Sequence, residues 1–426
     1  PTGSKNSAAG TAGGSPRLCE QKRGVTVDGI YEPRRELLRS VLWALVPVWI
    51  VTLGFLLIPD FALGVDDSVA QDQPVNTDFF RQLRSGHFPL WSDHIECGLP
   101  LYARGSVLHP ASVLANLVCH PLGIQREVEV GHVLYLAFGT ACAWLFLRGH
   151  GCHPAAAAVG TLGFAMSGPF WGLWTNWNPY GFVGAMVPAT LMAIDASCRG
   201  GIRRGPIVGL ALAGSVVTLI CDPQMTIKWI LLVLGYAIFR WPTQRPVAAA
   251  TMLFCGAAIA GLVSLGQAIP VIEYFRNTVR VSDEGTSAAD FYWMSLSAHH
   301  LLGLFNPLFM APWQNTYGCA ATLYGGTIYV GGMLGPTAGA WFTKEWWRDP
   351  CTRSLSVMCF LYALLAIGPQ TPLGELQRLV PIANNMRWPI RWTMELCTLA
   401  PLAVGLACQR VLSGLSDRPQ RRHLLW

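Results

Sequence analysis

Charge is what this chain has least of. Asp, Glu, Lys and Arg together make up 13% of 426 residues, about half the fraction usual in soluble domains. A soluble protein of this length could not cover its surface with so few charges. Intrinsic disorder is excluded on the same count, because disorder goes with low hydrophobicity and the AVILMFWYC residues here amount to 52%. Also missing, despite 13 cysteines, are CxxC pairs and His-bearing metal spacings, so the common zinc and thiol-redox motifs are excluded. The formal net charge of +6 does not call for a nucleic-acid partner, since basic loops of a membrane protein give the same sum. What these absences leave is an all-α polytopic membrane protein.

What is present is a series of apolar runs. Residues 1–39 are rich in Gly, Ser, Ala and charge, and they read as a flexible cytosolic arm rather than a signal peptide. Runs then fall at Val41–Ile58, Val130–Leu147, Ala155–Phe170, Phe182–Ala196, Pro206–Cys221, Met225–Phe239, Pro246–Ala268, Gly325–Phe342, Leu355–Ile367 and Trp392–Cys408. At about 1.5 Å per residue these cross a hydrocarbon core of roughly 30 Å, some only with interfacial flanks. The reading is therefore about ten transmembrane helices in a domain over 40–408, followed by a basic cytosolic tail at 409–426. Long outer loops are expected at 59–129, 270–324 and 368–391. The apolar but short Pro110–Leu122 suits an interfacial or re-entrant helix within the first of them.

The arginines test this count. With the N-terminus inside, the cytosolic pieces hold 20 of the 30 Lys and Arg residues, while the outer loops carry about 15 of the 24 acids. That is the asymmetry of the positive-inside rule, and it places both termini in the cytoplasm. On this topology Cys97, Cys119, Cys221 and Cys319 lie near the outer face, where a disulfide among them is one alternative.

The outer face holds the candidate chemistry. Outer loop one carries Asp60, Asp66, Asp67, Asp72 and Asp78 with no basic residue among them before Arg81. It reads either as a solvated acidic loop or as a carboxylate site for a divalent cation or a general base. The adjacent Asp66 and Asp67 put two carboxylates side by side, which raises one pKa unless a cation or an arginine compensates. Further along the loop, Trp91 and Tyr102 suit interfacial anchors. Outer loop two holds Trp174, Asn176, Trp177, Asn178 and Tyr180, a set that suits either a sugar cradle or an ordinary aromatic belt. Lys228 stands just inside a span, where a charge is costly and a functional role is the default expectation; a local pair with Asp222 is the alternative. Arg387 and Arg391 lie on the outer side against the charge trend, and the guanidinium fork suits phosphate.

Several blocks in this order resemble the bacterial YfhO-like membrane proteins, which are similar in layout to the GT-C glycosyltransferases. They are Gly64-Val65-Asp66, Gly86-His87-Phe88-Pro89-Leu90-Trp91, Gly98-Leu99-Pro100-Leu101 and Pro110 in loop one, then Phe164-Ala165-Met166-Ser167-Gly168. Later blocks are Ile269-Pro270 with Glu273, Tyr329-Val330-Gly331, and Met386-Arg387-Trp388-Pro389-Ile390-Arg391. Asp222-Pro223-Gln224 departs from the family's His-Pro-Gln. The resemblance implies a GT-C-like bundle in the bacterial inner membrane that moves a sugar from a polyprenyl-phosphate donor to a glycan, lipid or protein acceptor on the outer face. It carries a catalytic or metal-binding role to Asp66 or Asp67, with Mg²⁺ or Mn²⁺ as the cation if one is needed. Arg387, Arg391 and Lys228 are then expected on the donor phosphate, and Trp91 and Asn176 on the sugar.

Two other function classes stay open at this stage. The chain ends about 35 residues after Arg391, short for the family, and its Gly- and Ala-rich spans allow close helix packing. Both features, with the Asp222 departure, suit a non-catalytic scaffold subunit with membrane-protein partners. A lipid or sugar transporter or flippase is the third class. Against it, the spans hold only Asp195, Lys228 and Glu395 near their ends and show no convincing inverted repeat.

Overall fold

The computed structural model describes residues 73–95, 98, 100–104, 108–122, 127–167, 178–199, 201–220, 223–242, 245–277, 341, 343–379 and 389–416, with six helical positions between Leu42 and Leu57. Among these residues the chain is helical, with no β-strand. Two short helices come first, α1 (Gln73–Arg84) and α2 (Pro110–Cys119). The main bundle follows as α3 (Glu127–Gly149), α4 (Pro154–Ala165), α5 (Asn178–Cys198), α6 (Arg204–Thr218), α7 (Pro223–Arg240) and α8 (Pro246–Arg276). The last group is α9 (Lys344–Arg348), α10 (Pro350–Ile367), α11 (Pro372–Leu379) and α12 (Thr393–Ser416).

Among the described residues, five stretches are long and apolar enough to cross a membrane: Glu129–Gly149, Gly181–Cys198, Pro246–Tyr274, Pro350–Gln370 and Thr393–Gly414. This is fewer than the ten runs of the sequence. Helix α4 has 12 residues and α6 has 15, so at 1.5 Å per residue neither reaches 30 Å. The Gly325–Phe342 run and most of Val41–Ile58 lie outside the described residues. Helix α8 continues through Pro270 to Arg276, so Glu273 and Arg276 are helical. The region 368–391 contains α11 and two 3₁₀ turns, Gly368–Gln370 and Pro389–Trp392.

Helix starts follow local chemistry. Proline opens α4 and α10 at a position whose N–H has no intrahelical partner in any case. The Asp349 carboxylate caps α10 by accepting from the Cys351 N–H at 3.2 Å, and the Thr343 hydroxyl caps α9 through the Trp346 N–H at 3.4 Å. Helix α2 also opens on proline, yet its N-cap His109 makes no capping bond. The His109 ring instead stacks on Phe182 of α5 at 4.3 Å and lies within hydrogen-bonding reach of the Tyr135 hydroxyl of α3. This pins the segment before α3 to the bundle. Helix α1 turns Val75, Phe79 and Phe80 onto Leu101 to form a small separate core.

The bundle alternates in direction, because ends that the sequence separates meet in space. At one end, the His150 imidazole just after α3 lies 2.9 Å from the Asp195 carboxylate of α5. The same carboxylate takes the Arg240 Nε of α7 at 2.6 Å and the Arg199 guanidinium at 3.4 Å, and it accepts from the Tyr236 hydroxyl at 3.3 Å. His150 also directs Nδ1 at the Phe146 carbonyl at 2.8 Å. Burial pulls the His150 pKa down, but Cys351 and Asp195 beside it push it up to about 10, so the ring is an imidazolium at neutral pH. Asp349 at the start of α10 pairs with Arg410 of α12 at the same end. A carboxylate as buried as Asp195 needs such partners.

Helix α5 is enclosed, with 78% of its apolar window buried, whereas only 28% of the α8 window is buried, so α8 turns most of its apolar surface outward. Helices α4 and α12 approach closely at a glycine. A Cβ on Gly160 would stand 2.6 Å from Leu147 Cδ1 and 2.9 Å from the Pro401 carbonyl oxygen, the small-residue contact that membrane helices use in place of hydrophobic driving force.

Two stability changes are expected from this packing. Gly160→Ala overfills the α4–α12 contact and should cost about 1–3 kcal/mol, read as a lowered unfolding temperature of the purified chain in detergent. Asp195→Asn strands buried cations and should cost about 3–5 kcal/mol, whereas an Arg199→Gln change at the exposed rim should cost under about 1 kcal/mol. Equal effects of Asp195→Asn and Arg199→Gln would contradict the assignment of Asp195 as the hub.

Candidate functional site

At the opposite end of the bundle, two of the sequence-level candidates come together. Lys228 lies in the second turn of α7 and is fully buried, with no exposed surface. Its ammonium donates to the Arg391 carbonyl and lies 3.3 Å from the Glu395 carboxylate in the first turn of α12. It also stands 5.1 Å from the centre of the Trp392 ring, within the range of a cation–π contact. Trp392 stacks on Tyr362 of α10 at 5.7 Å, and its indole N–H donates to Gln377 of α11 at 3.2 Å. The Tyr362 hydroxyl closes the group by donating to the Lys228 carbonyl at 3.4 Å.

The Arg391 guanidinium donates to the Gln224 side chain at 2.8 Å across 167 residues of sequence. Gln224 and Arg391, the last residues of the Asp222-Pro223-Gln224 and Met386 to Arg391 blocks, thus meet at one point. Proline shapes both partners locally. Pro223 starts α7, placing Gln224 in the first turn, and Pro389 starts the 3₁₀ turn that delivers Arg391 and Trp392. Lys228 and Glu395 form the buried ion pair of the cluster, and Arg391, the less enclosed of the two cations, carries a guanidinium whose fork suits a phosphate.

Among the described residues the carboxylate partner of Lys228 is Glu395. Asp222, the neighbour considered from sequence, lies outside the described residues, as do Asp66, Asp67, Asn176 and Arg387. Trp91 is described, and it belongs to a different cluster. Its ring lies over Gly98, whose positive φ of 119° lets the backbone pass beneath. Its carbonyl accepts from Gln82 at 2.8 Å. The indole is half exposed, as an interfacial anchor would be. The sequence reading gave Glu395, Trp392, Tyr362 and Gln377 no site role. An acid inside an apolar run was the available signal for Glu395; the other three are ordinary helix residues until the fold assembles them.

Of the loop-one acids, Asp78 is described. Its carboxylate pairs with Arg81 and takes the Gln82 amide at 3.2 Å. Burial alone would raise its pKa, but the Ser92 hydroxyl, Arg81 and Gln82 together hold it below the usual carboxylate range. Asp78 therefore braces α1 against the Trp91 segment. Among the described residues no group of three or more His, Cys, Asp or Glu side chains could hold a metal ion. Cys119, one of the four cysteines considered for an outer disulfide, is a free and buried thiol.

Two measurements follow from these clusters. Glu395→Ala leaves the Lys228 ammonium buried without its carboxylate and should cost about 3–5 kcal/mol, while the double change Lys228→Met/Glu395→Leu should cost far less than the two single changes together. Additive losses in thermal unfolding would mean the two side chains do not act as a pair. For Asp78 the folded pKa lies below the unfolded value of about 3.9. Its contribution to stability is thus present above pH 3.9 and is lost as pH falls through the folded value. Asp78→Asn should flatten the acid limb of the unfolding temperature between about pH 5 and pH 3.

Comparison of the chain with protein-family models, with curated proteins and with solved structures finds no match.

Proposed function

We propose that the chain is a GT-C-like membrane glycosyltransferase that takes a sugar from a polyprenyl-phosphate donor and passes it to an acceptor hydroxyl on the outer face of a bacterial inner membrane. The observation that carries this reading is the meeting of Lys228, Glu395, Arg391 and Gln224 at one end of the bundle. An anionic lipid headgroup entering from the bilayer surface would meet Arg391 first, with Lys228 and Glu395 holding the Arg391 backbone in place behind it.

In this reading the acceptor oxygen attacks the anomeric carbon of the donor. The bond from that carbon to the phosphate oxygen breaks, and polyprenyl phosphate leaves with the electron pair. The acceptor proton passes to the Asp66 or Asp67 carboxylate as general base. A divalent cation, Mg²⁺ or Mn²⁺, belongs to the proposal only through Asp66 and Asp67. Arg387 joins Arg391 on the phosphate, and Trp91 and Asn176 face the sugar. The proposed topology keeps ten spans with both termini in the cytoplasm. Its support is the clustering of Arg199, Arg203, Arg204, Arg240, Arg245, Lys344, Arg348, Arg353 and Arg410 around the Asp195 end, which the positive-inside rule assigns to the cytosolic side.

One observation favours a second reading, a non-catalytic scaffold. Lys228 is fully enclosed, and its ammonium already has a carboxylate, a carbonyl and an aromatic ring around it. An ion pair completed in this way serves helix docking without any ligand.

The deciding experiment incubates the purified chain in phospholipid vesicles with radiolabelled polyprenyl-phosphate sugar and a mixed acceptor pool. Transfer is expected, with Asp66→Asn/Asp67→Asn lowering the rate by about 10²–10⁴-fold and Arg391→Gln raising KM by roughly tenfold or more through the lost charge-assisted bond. A cation requirement would show as loss of transfer on EDTA treatment and its return with Mg²⁺ or Mn²⁺. Undiminished transfer by the Asp66/Asp67 double variant sinks the catalytic assignment. Stable co-purification with a membrane protein, combined with no transfer, supports the scaffold.

A further inference from the structure

The Asp195 end carries more positive charge than its own carboxylates consume. Two tight connections lie side by side there, one between α5 and α6 with Arg199, Arg203 and Arg204, the other between α7 and α8 with Arg240 and Arg245. Their adjacency is direct: the Arg245 guanidinium would stand 3.2 Å from a Cβ placed on Gly201, and the Arg203 N–H points at Met252 of α8 at 3.4 Å. Neither connection contains an acidic residue. Asp195 is the nearby carboxylate, and it is already shared by His150, Arg199 and Arg240. Among the described residues Arg203, Arg204 and Arg245 have no carboxylate partner, and all three are exposed.

Apolar side chains alternate with these arginines on the same surface. Ile202 is 64% exposed, Trp241 43% and Val247 76%. Gly205, beside Arg204, has open space where a side chain would stand. An aqueous anion would have no use for three exposed apolar side chains around the arginines. A lipid offers a charged phosphate and acyl carbons at the same depth, and basic clusters at helix ends match anionic headgroups in that way.

We infer that the 199–205 and 240–247 connections form a headgroup site for an anionic phospholipid. Arg203, Arg204 and Arg245 hold the phosphodiester. Ile202, Trp241 and Val247 lie against the glycerol and upper acyl region, and Gly205 leaves room for the headgroup. Arg199 and Arg240 couple the site to the Asp195 hub, so an occupied site ties α5, α6, α7 and α8 together. The inference is independent of glycosyl transfer, because its residues lie at the opposite end of the bundle from Lys228.

The test uses the full chain purified in mild detergent, titrated separately with phosphatidylglycerol, phosphatidylcholine and inorganic phosphate while thermal unfolding is followed. Phosphatidylglycerol should raise the unfolding temperature in a saturable way, and neither phosphatidylcholine nor inorganic phosphate should match it. Each of Arg203→Gln, Arg204→Gln and Arg245→Gln should weaken the response about fivefold, as expected for roughly one headgroup charge contact apiece. Arg81→Gln, at the other end, should leave it unchanged. Trp241→Ala should weaken the phosphatidylglycerol response without removing charge, which a purely ionic surface would not show. The inference is overturned if phosphatidylcholine stabilises equally, if inorganic phosphate reproduces the effect, or if the single arginine variants respond like the unaltered chain.

Discussion

A carboxylate buried among helix ends has to be neutralised where it stands, and much of this structure follows from how Asp195 meets that demand. The imidazolium of His150, the Arg240 guanidinium and the Tyr236 hydroxyl reach it from the ends of α3 and α7. Once those ends are held together, the direction of each neighbouring helix follows, since each connection is too short to allow another. The cost of exposing any one of these groups to lipid is several kcal/mol, comparable to a large part of a domain's net stability.

The same rule, applied at the opposite end, produces a different chemistry. Lys228 and Glu395 cancel each other, and the Arg391 carbonyl and Trp392 ring complete the ammonium's surroundings. The Arg391 guanidinium is tethered by Gln224. One end of the bundle is therefore built around a buried anion and the other around a buried cation. Phosphate-bearing lipid is the ligand proposed at both, which links the proposed donor site to the proposed phospholipid site.

Much of the architecture was legible in the sequence. The scarcity of charge identified a membrane protein, the apolar runs located the long helices, and the arginine turns marked one end of the bundle. The short helices of loop one were also legible, because Pro110 and its apolar successors form a helix too short to span. The count of ten spans was less secure, since periodicity and hydropathy cannot tell a 12-residue helix such as α4 from a span completed by interfacial residues. The apolar run Pro246–Ala268 stops short of the helix it belongs to, which continues through Pro270 to Arg276. Proline interrupts a helix bond but is tolerated inside long apolar helices when neighbours supply packing, and α8 passes through it.

By itself the sequence determined the class of protein, the apolar helices and the suspicion attached to Lys228 and Arg391, because each of these is a local property of composition or of a single costly charge. Only the tertiary structure decided what those charges do. It paired Lys228 with Glu395, brought Gln224 to Arg391 across 167 residues, and gathered three cations on Asp195. Partner choice of this kind depends on which helix faces end up in contact. Side-chain packing sets those contacts at distances that no spacing along the chain encodes.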